Sequence, residues 1–390
     1  MMQAVILAGG RGQRLGSLTD EIPKPLLPIS GKPFMSWLIR NILRFGFKEI
    51  LVLAGYKGEK IKHYLEENWA QYDIKCVIEE EPLGTAGALR NSAEFLRSQF
   101  FLFNGDTIFD FNYLDLKIRM SAEALGCMAL RETEDAFRYG SVVLNGNFVC
   151  RFQEKNSKGP SLVNGGVYIL RKRIVDLLPP AGSLENDFFP SLPRGSLVGY
   201  PYQGFFIDIG VPDDYLRAQS LIPSSLKKPA VFLDRDGTLN EDKGYVYRKE
   251  DFNWLPGVKE AIKYLNDLGY LVIVVTNQAG IARGYYSEQQ MHELHEFINK
   301  ELAEIGAHID AYYYCPHHPT EGKPPYLQDC DCRKPKPGLI LRAAKDWDID
   351  LEASIGIGDK DSDIQAFEGA GLKYIGRSIY SIYEMVKRQK

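Results

Sequence analysis

A chain of 390 residues has room for two to three domains of about 150 residues each, which excludes a single small module. Hydrophobic residues at 45% and charged residues at 25% are ordinary globular values, and 36 glycines with 21 prolines do not amount to low complexity. With 47 basic against 51 acidic residues, the net charge of −4 draws the chain to neither nucleic acid nor an anionic membrane, so any phosphorylated partner must be held by local sites.

No basic segment precedes the apolar run near Met1, and no stretch reaches the ~18 apolar residues of a membrane span, so a cytoplasmic protein is expected. Strand patterns, each followed by a helical pattern, occur at Ala4–Leu7, Glu49–Leu53 and Phe101–Phe103, then at Val231–Leu233, Leu271–Val275 and Ser354–Ile357. Such alternation predicts parallel sheets. Trp37, Leu38, Ile42 and Leu43 form one apolar helical stripe, and Val258, Ala261, Ile262 and Leu265 another. Between the halves, Ile222-Pro223-Ser224-Ser225-Leu226-Lys227-Lys228-Pro229 breaks the apolar pattern. Domains at 1–222 and 229–390 with a linker at 223–228 are therefore expected. The halves carry unlike motifs, which points to a fusion rather than a duplication.

The first predicted strand runs into Gly9, Gly10, Gly12 and Gly16 before a helical segment, with Arg11 and Arg14 among them. Glycines let backbone N–H groups close on phosphate oxygens. The spacing fits neither the dinucleotide fingerprint nor the P-loop. Further along come Pro23-Lys24-Pro25, Leu83-Gly84-Thr85-Ala86-Gly87, Asn104-Gly105-Asp106 and Phe206-Ile207-Asp208-Ile209-Gly210. Asp106 and Asp208, each in an apolar setting, are hard oxygen ligands suited to Mg²⁺. Taken together, the motifs resemble the sugar-1-phosphate nucleotidyltransferase family over about residues 1–220. The resemblance implies a Rossmann-like, GT-A-like domain in which Gly9, Gly10, Gly12 and Arg14 embrace a nucleoside triphosphate and Lys24 meets its phosphates. Leu83, Gly84 and Thr85 would line the base and sugar pocket. Glu154, Lys155 and Asn164 would form the sugar-binding acceptor side, where Glu154 would hold sugar hydroxyls and Lys155 the sugar phosphate.

In the second half, Asp234-Arg235-Asp236-Gly237-Thr238 follows an apolar strand. In an extended segment both carboxylates point the same way, so one can attack phosphorus while the other handles a proton. With Thr276-Asn277-Gln278, Arg333-Lys334-Pro335 and Gly358-Asp359-Lys360-Asp361-Ser362-Asp363, this order resembles the haloacid dehalogenase phosphatases over about 229–390. By that resemblance Asp234 is the nucleophile and Asp236 the general acid/base. Thr276 and Lys334 hold the phosphoryl group, and Mg²⁺ sits on Asp234, the Asp236 carbonyl and Asp359. About 40 residues separate Asp236 from Thr276, too few for a large cap domain.

Cys315, His317, Cys330 and Cys332 supply three thiolates and an imidazole, a full tetrahedral set for structural Zn²⁺; spacing alone leaves His318 as an alternative to His317. The zinc loop and Gly280-Ile281-Ala282-Arg283-Gly284 resemble heptose-bisphosphate phosphatases, with histidinol-phosphate phosphatases close behind. Both halves are thus expected to be doubly wound three-layer α/β domains. Expected ligands are GTP or another NTP, heptose 1,7-bisphosphate and heptose 1-phosphate, for GDP-heptose of surface glycans. Arg283 and Arg333 are candidates to hold the phosphate that is spared. A regulatory sugar-nucleotide binding protein is the remaining alternative, and it would lack one of Lys24, Asp106 or Asp208.

Overall fold

The computed structural model describes residues 2–133, 141–153 and 161–389. Its contacts divide the chain into two units, Met1–Ser225 and Leu226–Lys390. Among the described residues no helix is long and apolar enough to cross a membrane.

The strands of the first unit are β1 (Gln3–Ala8), β2 (Pro28–Ile29), β3 (Lys32–Pro33), β4 (Glu49–Ala54), β5 (Asp73–Ile78), β6 (Gln99–Asn104), β7 (Thr107–Asp110), β8 (Gly126–Thr133), β9 (Ser141–Asn145), β10 (Phe148–Gln153), β11 (Ser161–Arg171), β12 (Leu197–Tyr202) and β13 (Phe205–Asp208). Nine of them form one sheet in the order β5-β4-β1-β6-β11-β8-β12-β10-β9. The predicted parallel alternation holds for β5, β4, β1 and β6, but β11 runs antiparallel to β6 and to β8, so the sheet is mixed. Beyond it β12 runs parallel to β8 again, and β10 antiparallel to β12 and to β9. Because Ala8 pairs with Ala54, Ala54 with Ile78, and Leu7 with Asn104, four strands end at one edge. Gly9, Gly55, Glu79 and Gly105 follow directly, which is where open α/β sheets place ligands.

Pro223 does not break the chain where the sequence suggests. The helix Pro212–Leu226 runs through it. Proline removes the N–H that would reach the carbonyl of Gln219. Here the Ser30 hydroxyl donates to that carbonyl at 2.5 Å, and the Ser30 backbone N–H donates to Gln219 Oε1 at 2.9 Å. The orphaned acceptor is thereby satisfied from the β2–β3 hairpin.

The second unit has β14 (Ala230–Leu233), β15 (Leu271–Asn277), β16 (Ala311–Cys315), β17 (Ile355–Ile357) and β18 (Tyr374–Gly376), parallel throughout in the order β16-β15-β14-β17-β18. Alternation along β14 sends Val231 and Leu233 into a core with the helices Val258–Asp267 and Glu288–Ala303. Ala230 and Phe232 face the opposite core, with Gly338–Trp347 and Asp361–Gly369. Burial on both faces is what a parallel sheet demands. Between Asp236 and Thr276 lie loops, the Val258–Asp267 helix and most of β15, with no inserted cap.

Candidate active sites

In the first unit, β6 ends beside Asp106, and β7 pairs with β13 so that Asp208 lies opposite Thr107. The Ile209 N–H donates to the Asp106 carbonyl at 3.0 Å. Lys24, itself buried, donates from Nζ to Asp106 Oδ2 at 2.5 Å and stands 3.8 Å from Asp208 Oδ1. Burial pushes the Asp208 carboxyl up to about 6, helped by the neighbouring Asp106 charge. Burial acts on Asp106 too, but the Lys24 ammonium more than offsets it and holds that carboxyl below its ordinary value. Two half-buried acids repelling one another across one buried lysine fit a further cation, so the pair suits Mg²⁺. A Cβ on Gly210 would lie 2.8 Å from Asp208 Oδ1, 3.0 Å from Arg14 Nη2 and 3.1 Å from Lys24 Nζ, so the bare glycine gathers all three groups.

The glycine loop departs from expectation in one respect. No full helix follows it, only the 3-10 turn Gln13–Leu15 and one turn at Leu18–Glu21, cut short before Pro23 and Pro25. A helix dipole is therefore not the main attraction for phosphate here; Arg14 and Lys24 carry the positive charge. Gly12 is left-handed with φ 70°, whereas Gly10 has open space around it.

Glu79 was overlooked in the sequence because it opens the run Glu79-Glu80-Glu81, which reads as a solvated face. Its carboxylate is wedged between two strand ends: a Cβ on Gly9 would lie 2.6 Å, and one on Gly55 2.3 Å, from Oε1. Burial raises its pKa, opposed by the Leu83 N–H that donates to Oε2 at 3.4 Å.

Gly84 and Thr85 pack against the segment 182–185. A Cβ on Gly84 would meet the Gly182 carbonyl at 2.4 Å, and Thr85 Oγ1 accepts from the Leu184 N–H at 2.7 Å and donates to Glu185 at 3.2 Å. The Tyr168 hydroxyl extends this network to Glu185 at 3.3 Å and accepts from Asn164 Nδ2 at 2.5 Å. Asn164 sits where the β11–β8 register shifts. Glu154 and Lys155 lie outside the described residues.

In the second unit, β14, β15 and β17 end together, and the Asp234 N–H donates to the Ile357 carbonyl at 2.9 Å. Lys334 Nζ is pinned at 2.6 Å from both Asp234 Oδ1 and Asp363 Oδ1, and donates to the Val275 carbonyl at 2.8 Å. Asn277 fixes its backbone by accepting from the Lys334 N–H and donating to the Lys334 carbonyl. Burial raises the Asp234 carboxyl to about 6, against the Lys334 charge and with Asp363 adding to it.

Asp234, Asp359 and Asp363 can each direct one oxygen within 4.8 Å of the others, and Asp359 Oδ1 is buried with no hydrogen-bond partner. That orphaned acceptor fits a metal cation. The side chain completing this cluster is Asp363, a residue absent from the expected ligand set; Asp236 turns its carboxylate to Arg235, Asn240 and Gln278 instead. Asp236 could meet a metal only through its carbonyl. Thr276 Oγ1 accepts from Gln278 Nε2 at 2.8 Å, and Gln278 also reaches Asp236 Oδ2 at 3.2 Å.

At the end of β16, Cys315, His317, Cys330 and Cys332 bring one ligand atom each within 4.8 Å of the rest. Cys315 and Cys330 sulfurs are 3.5 Å apart, Cys330 and Cys332 3.2 Å, and His317 Nδ1 is 3.3 Å from Cys332. The cysteines are free thiols. His318 is excluded as fourth ligand, because its Nδ1 accepts from the Glu321 N–H at 2.9 Å. The hairpin also grips a neighbouring segment: Glu321 pairs with Arg283 at 2.8 Å, and the Lys323 N–H donates to the Ala282 carbonyl at 3.2 Å. Arg333 donates to the His317 carbonyl at 3.0 Å. Both arginines proposed to hold the spared phosphate thus also contact the hairpin.

Residues 3–225 match the family model described as nucleotidyl transferase, and residues 229–368 that described as polynucleotide kinase 3 phosphatase. Over 217 residues the chain is 39% identical to a D-glycero-alpha-D-manno-heptose 1-phosphate guanylyltransferase of Campylobacter jejuni, covering 55% of this chain and 97% of the relative. Over 146 residues it is 53% identical to a D-glycero-beta-D-manno-heptose-1,7-bisphosphate 7-phosphatase of Pasteurella multocida, covering 37% and 79%. A Burkholderia mallei phosphatase named for the alpha anomer is 50% identical over 147 residues, covering 38% and 78%. The crystal structure of HddC from Yersinia pseudotuberculosis complexed with GMP-PN is 35% identical, with a TM-score of 0.52 over 56% of this chain and 98% of that one. The chain therefore belongs to the nucleotidyl transferase family through its first unit, and its second unit is a phosphatase of the haloacid dehalogenase type.

Proposed function

We propose that the chain performs two consecutive steps: hydrolysis of the C7 phosphate of D-glycero-α-D-manno-heptose 1,7-bisphosphate, then transfer of GMP from GTP to heptose 1-phosphate, giving GDP-heptose and pyrophosphate. The observation that carries this reading is the presence of both sites on one chain, each with relatives named for adjoining heptose phosphates. Phosphatase relatives are named for both anomers. A shared intermediate needs a single configuration, and the guanylyltransferase relative is named for alpha. Lys24, Asp106 and Asp208 are all present, which removes the basis for a dead, regulatory transferase. Free cysteines and a nucleoside triphosphate substrate suit the cytoplasm.

In the phosphatase, Asp234 attacks phosphorus as Asp236 protonates the departing C7 oxygen; Asp236 then takes a proton from the water that hydrolyses the aspartyl phosphate. Lys334 and Thr276 hold the phosphoryl oxygens. Mg²⁺ at Asp234, Asp359 and Asp363 would offset the charge of the approaching dianion. In the transferase, Arg14 and Lys24 bind the triphosphate, and Mg²⁺ at Asp106 and Asp208 would lessen repulsion between the two phosphates. Phosphorus NMR of the phosphatase reaction alone should show heptose 1-phosphate accumulating. Accumulation of heptose 7-phosphate would end the consecutive-step reading, because the transferase needs the anomeric phosphate as nucleophile.

Glu79 supports the choice of guanine. A carboxylate offers two adjacent acceptors, which suit the N1–H and exocyclic amino group on one guanine edge; uracil and thymine would oppose it with carbonyls. Glu79→Gln should lower kcat/KM for GTP by about 10- to 100-fold, in line with ~1.5–3 kcal/mol for a hydrogen bond to a charged group. Rates with UTP should hold or rise. Equal losses with both nucleotides would remove Glu79 from base selection.

Zinc at Cys315, His317, Cys330 and Cys332 would have a closed shell and a structural role. Metal analysis should find one zinc per chain. Cys330→Ser or a strong chelator should release it, freeing the hairpin from Ala282 and Arg283 and cutting phosphate release while nucleotidyl transfer continues. Zinc-free protein with full phosphatase activity would refute this assignment.

A further inference from the structure

Arg235 stands between the two aspartates of the phosphatase site, yet its side chain is fully buried. A guanidinium taken out of water is costly unless its donors are used. Here Nε lies 3.2 Å from both carboxylate oxygens of Asp236, and Nη2 donates to Asp236 Oδ2 at 2.8 Å and to the Val246 carbonyl at 2.6 Å. Nη1 is 3.4 Å from His295 Nε2. A guanidinium cannot accept, so His295 Nε2 must be the acceptor. Burial, together with the Arg235 charge, keeps that imidazole neutral, well below the ordinary histidine value. The ring of Tyr312 stacks on His295 at 4.1 Å with planes 11° apart, which fixes where the acceptor points.

We propose that Arg235 is a positioning residue for the general acid: its buried guanidinium, braced by His295 and Tyr312, locks the Asp236 carboxylate in the one orientation that delivers a proton to the leaving oxygen. A carboxylate held from one side by a fork has little rotational freedom left. Asn240 Nδ2 at 3.1 Å from Oδ1 and Gln278 Nε2 at 3.2 Å from Oδ2 complete the cradle. The same guanidinium holds the Val246 carbonyl, so the loop carrying Tyr245 and Tyr247 is tied to the group that grips the carboxylate. In the step concerned, the P–O7 bond breaks as the Asp234–phosphorus bond forms, and the proton on Asp236 moves to O7, leaving a sugar hydroxyl and an Asp236 carboxylate. This inference rests on the reading of Asp236 as general acid.

The experiment compares kcat/KM for two substrates, because that ratio reports phosphoryl transfer and leaving-group departure and excludes later hydrolysis of the phosphoenzyme. Heptose bisphosphate expels an alkoxide that needs the proton; 4-nitrophenyl phosphate expels a phenolate that does not. Arg235→Lys keeps the charge and loses the fork. It should lower kcat/KM on heptose bisphosphate by about 10- to 100-fold and on 4-nitrophenyl phosphate by less than about threefold, short of the roughly 10²–10⁴-fold that a general acid itself contributes. Asp236→Asn should show the same selectivity with a larger loss. If Asp236→Asn slows both substrates alike, the underlying reading of Asp236 fails. If Asp236→Asn is selective while Arg235→Lys slows both substrates equally or slows neither, the positioning role is overturned.

Should Arg235→Lys not fold, as judged by loss of a cooperative melt, His295 supplies the test. His295→Leu removes the acceptor that braces Nη1 and should produce a smaller loss confined to heptose bisphosphate, which His295→Gln should restore. A uniform loss in His295→Leu, or no rescue by glutamine, would likewise overturn the proposal.

Discussion

Asp234→Asn should abolish phosphate release, by about 10⁴-fold or more, and leave nucleotidyl transfer at its original rate. The substitution keeps the shape of the side chain and removes the nucleophilic oxygen charge. It should not unfold the unit: Lys334 retains Asp363 at 2.6 Å and the Val275 carbonyl at 2.8 Å, so no buried cation is left without a partner. Asp234 is also a carboxyl that burial already pushes up to about 6, so its negative charge is held at a cost that asparagine avoids. The two activities are expected to separate because the contacts divide at Ser225 and Leu226, with Asp106 and Asp208 on one side and Asp234 on the other. Parallel assays of inorganic phosphate from heptose bisphosphate and of pyrophosphate from GTP decide it. Loss of both activities in a folded variant, or survival of phosphate release, would refute the assignment.

The complementary pair, Asp106→Asn and Asp208→Asn, should each cut nucleotidyl transfer by about 10²–10³-fold, equivalent to ~2.7–4 kcal/mol of transition-state stabilisation, with phosphate release unchanged. Both replace an anionic oxygen that faces Lys24 and would face Mg²⁺. The losses should differ in kind. Asp106 is the acid nearest Lys24, at 2.5 Å, so its removal also frees the ammonium that must meet the triphosphate. Asp208 is the more weakly compensated acid, and its variant should need more Mg²⁺ to reach half of its own maximum. Measuring pyrophosphate release against Mg²⁺ concentration separates the two. Near wild-type transfer in both variants at every concentration would mean that this pair does not hold the metal.

What could be read from the residues in order was what local geometry controls. Asp234 and Asp236 stand two positions apart just past the end of β14 whatever the rest of the chain does. Short apolar runs followed within two residues by glycine or aspartate marked the strands β1, β6, β14 and β17 and the loops after them. The cysteine and histidine spacing marked three cysteines and one of two adjacent histidines as a metal-binding group in a single short loop. Each of these depends on neighbours a few residues apart, so sequence alone determined them.

Tertiary structure decided the rest, because those groups meet only through strand register and side-chain competition. Glu79 comes up against Gly9 and Gly55 because β5 ends level with β4 and β1. Pro223 stays helical because Ser30, almost two hundred residues away, satisfies the carbonyl that proline orphans. His317 outranks His318 because a backbone N–H has already taken His318 Nδ1. Asp363 joins Asp234 and Asp359 in the acidic cluster that could hold a metal, while Asp236 is drawn aside by Arg235; spacing cannot foretell that choice, since a buried guanidinium claims whichever carboxylate the fold brings within its fork.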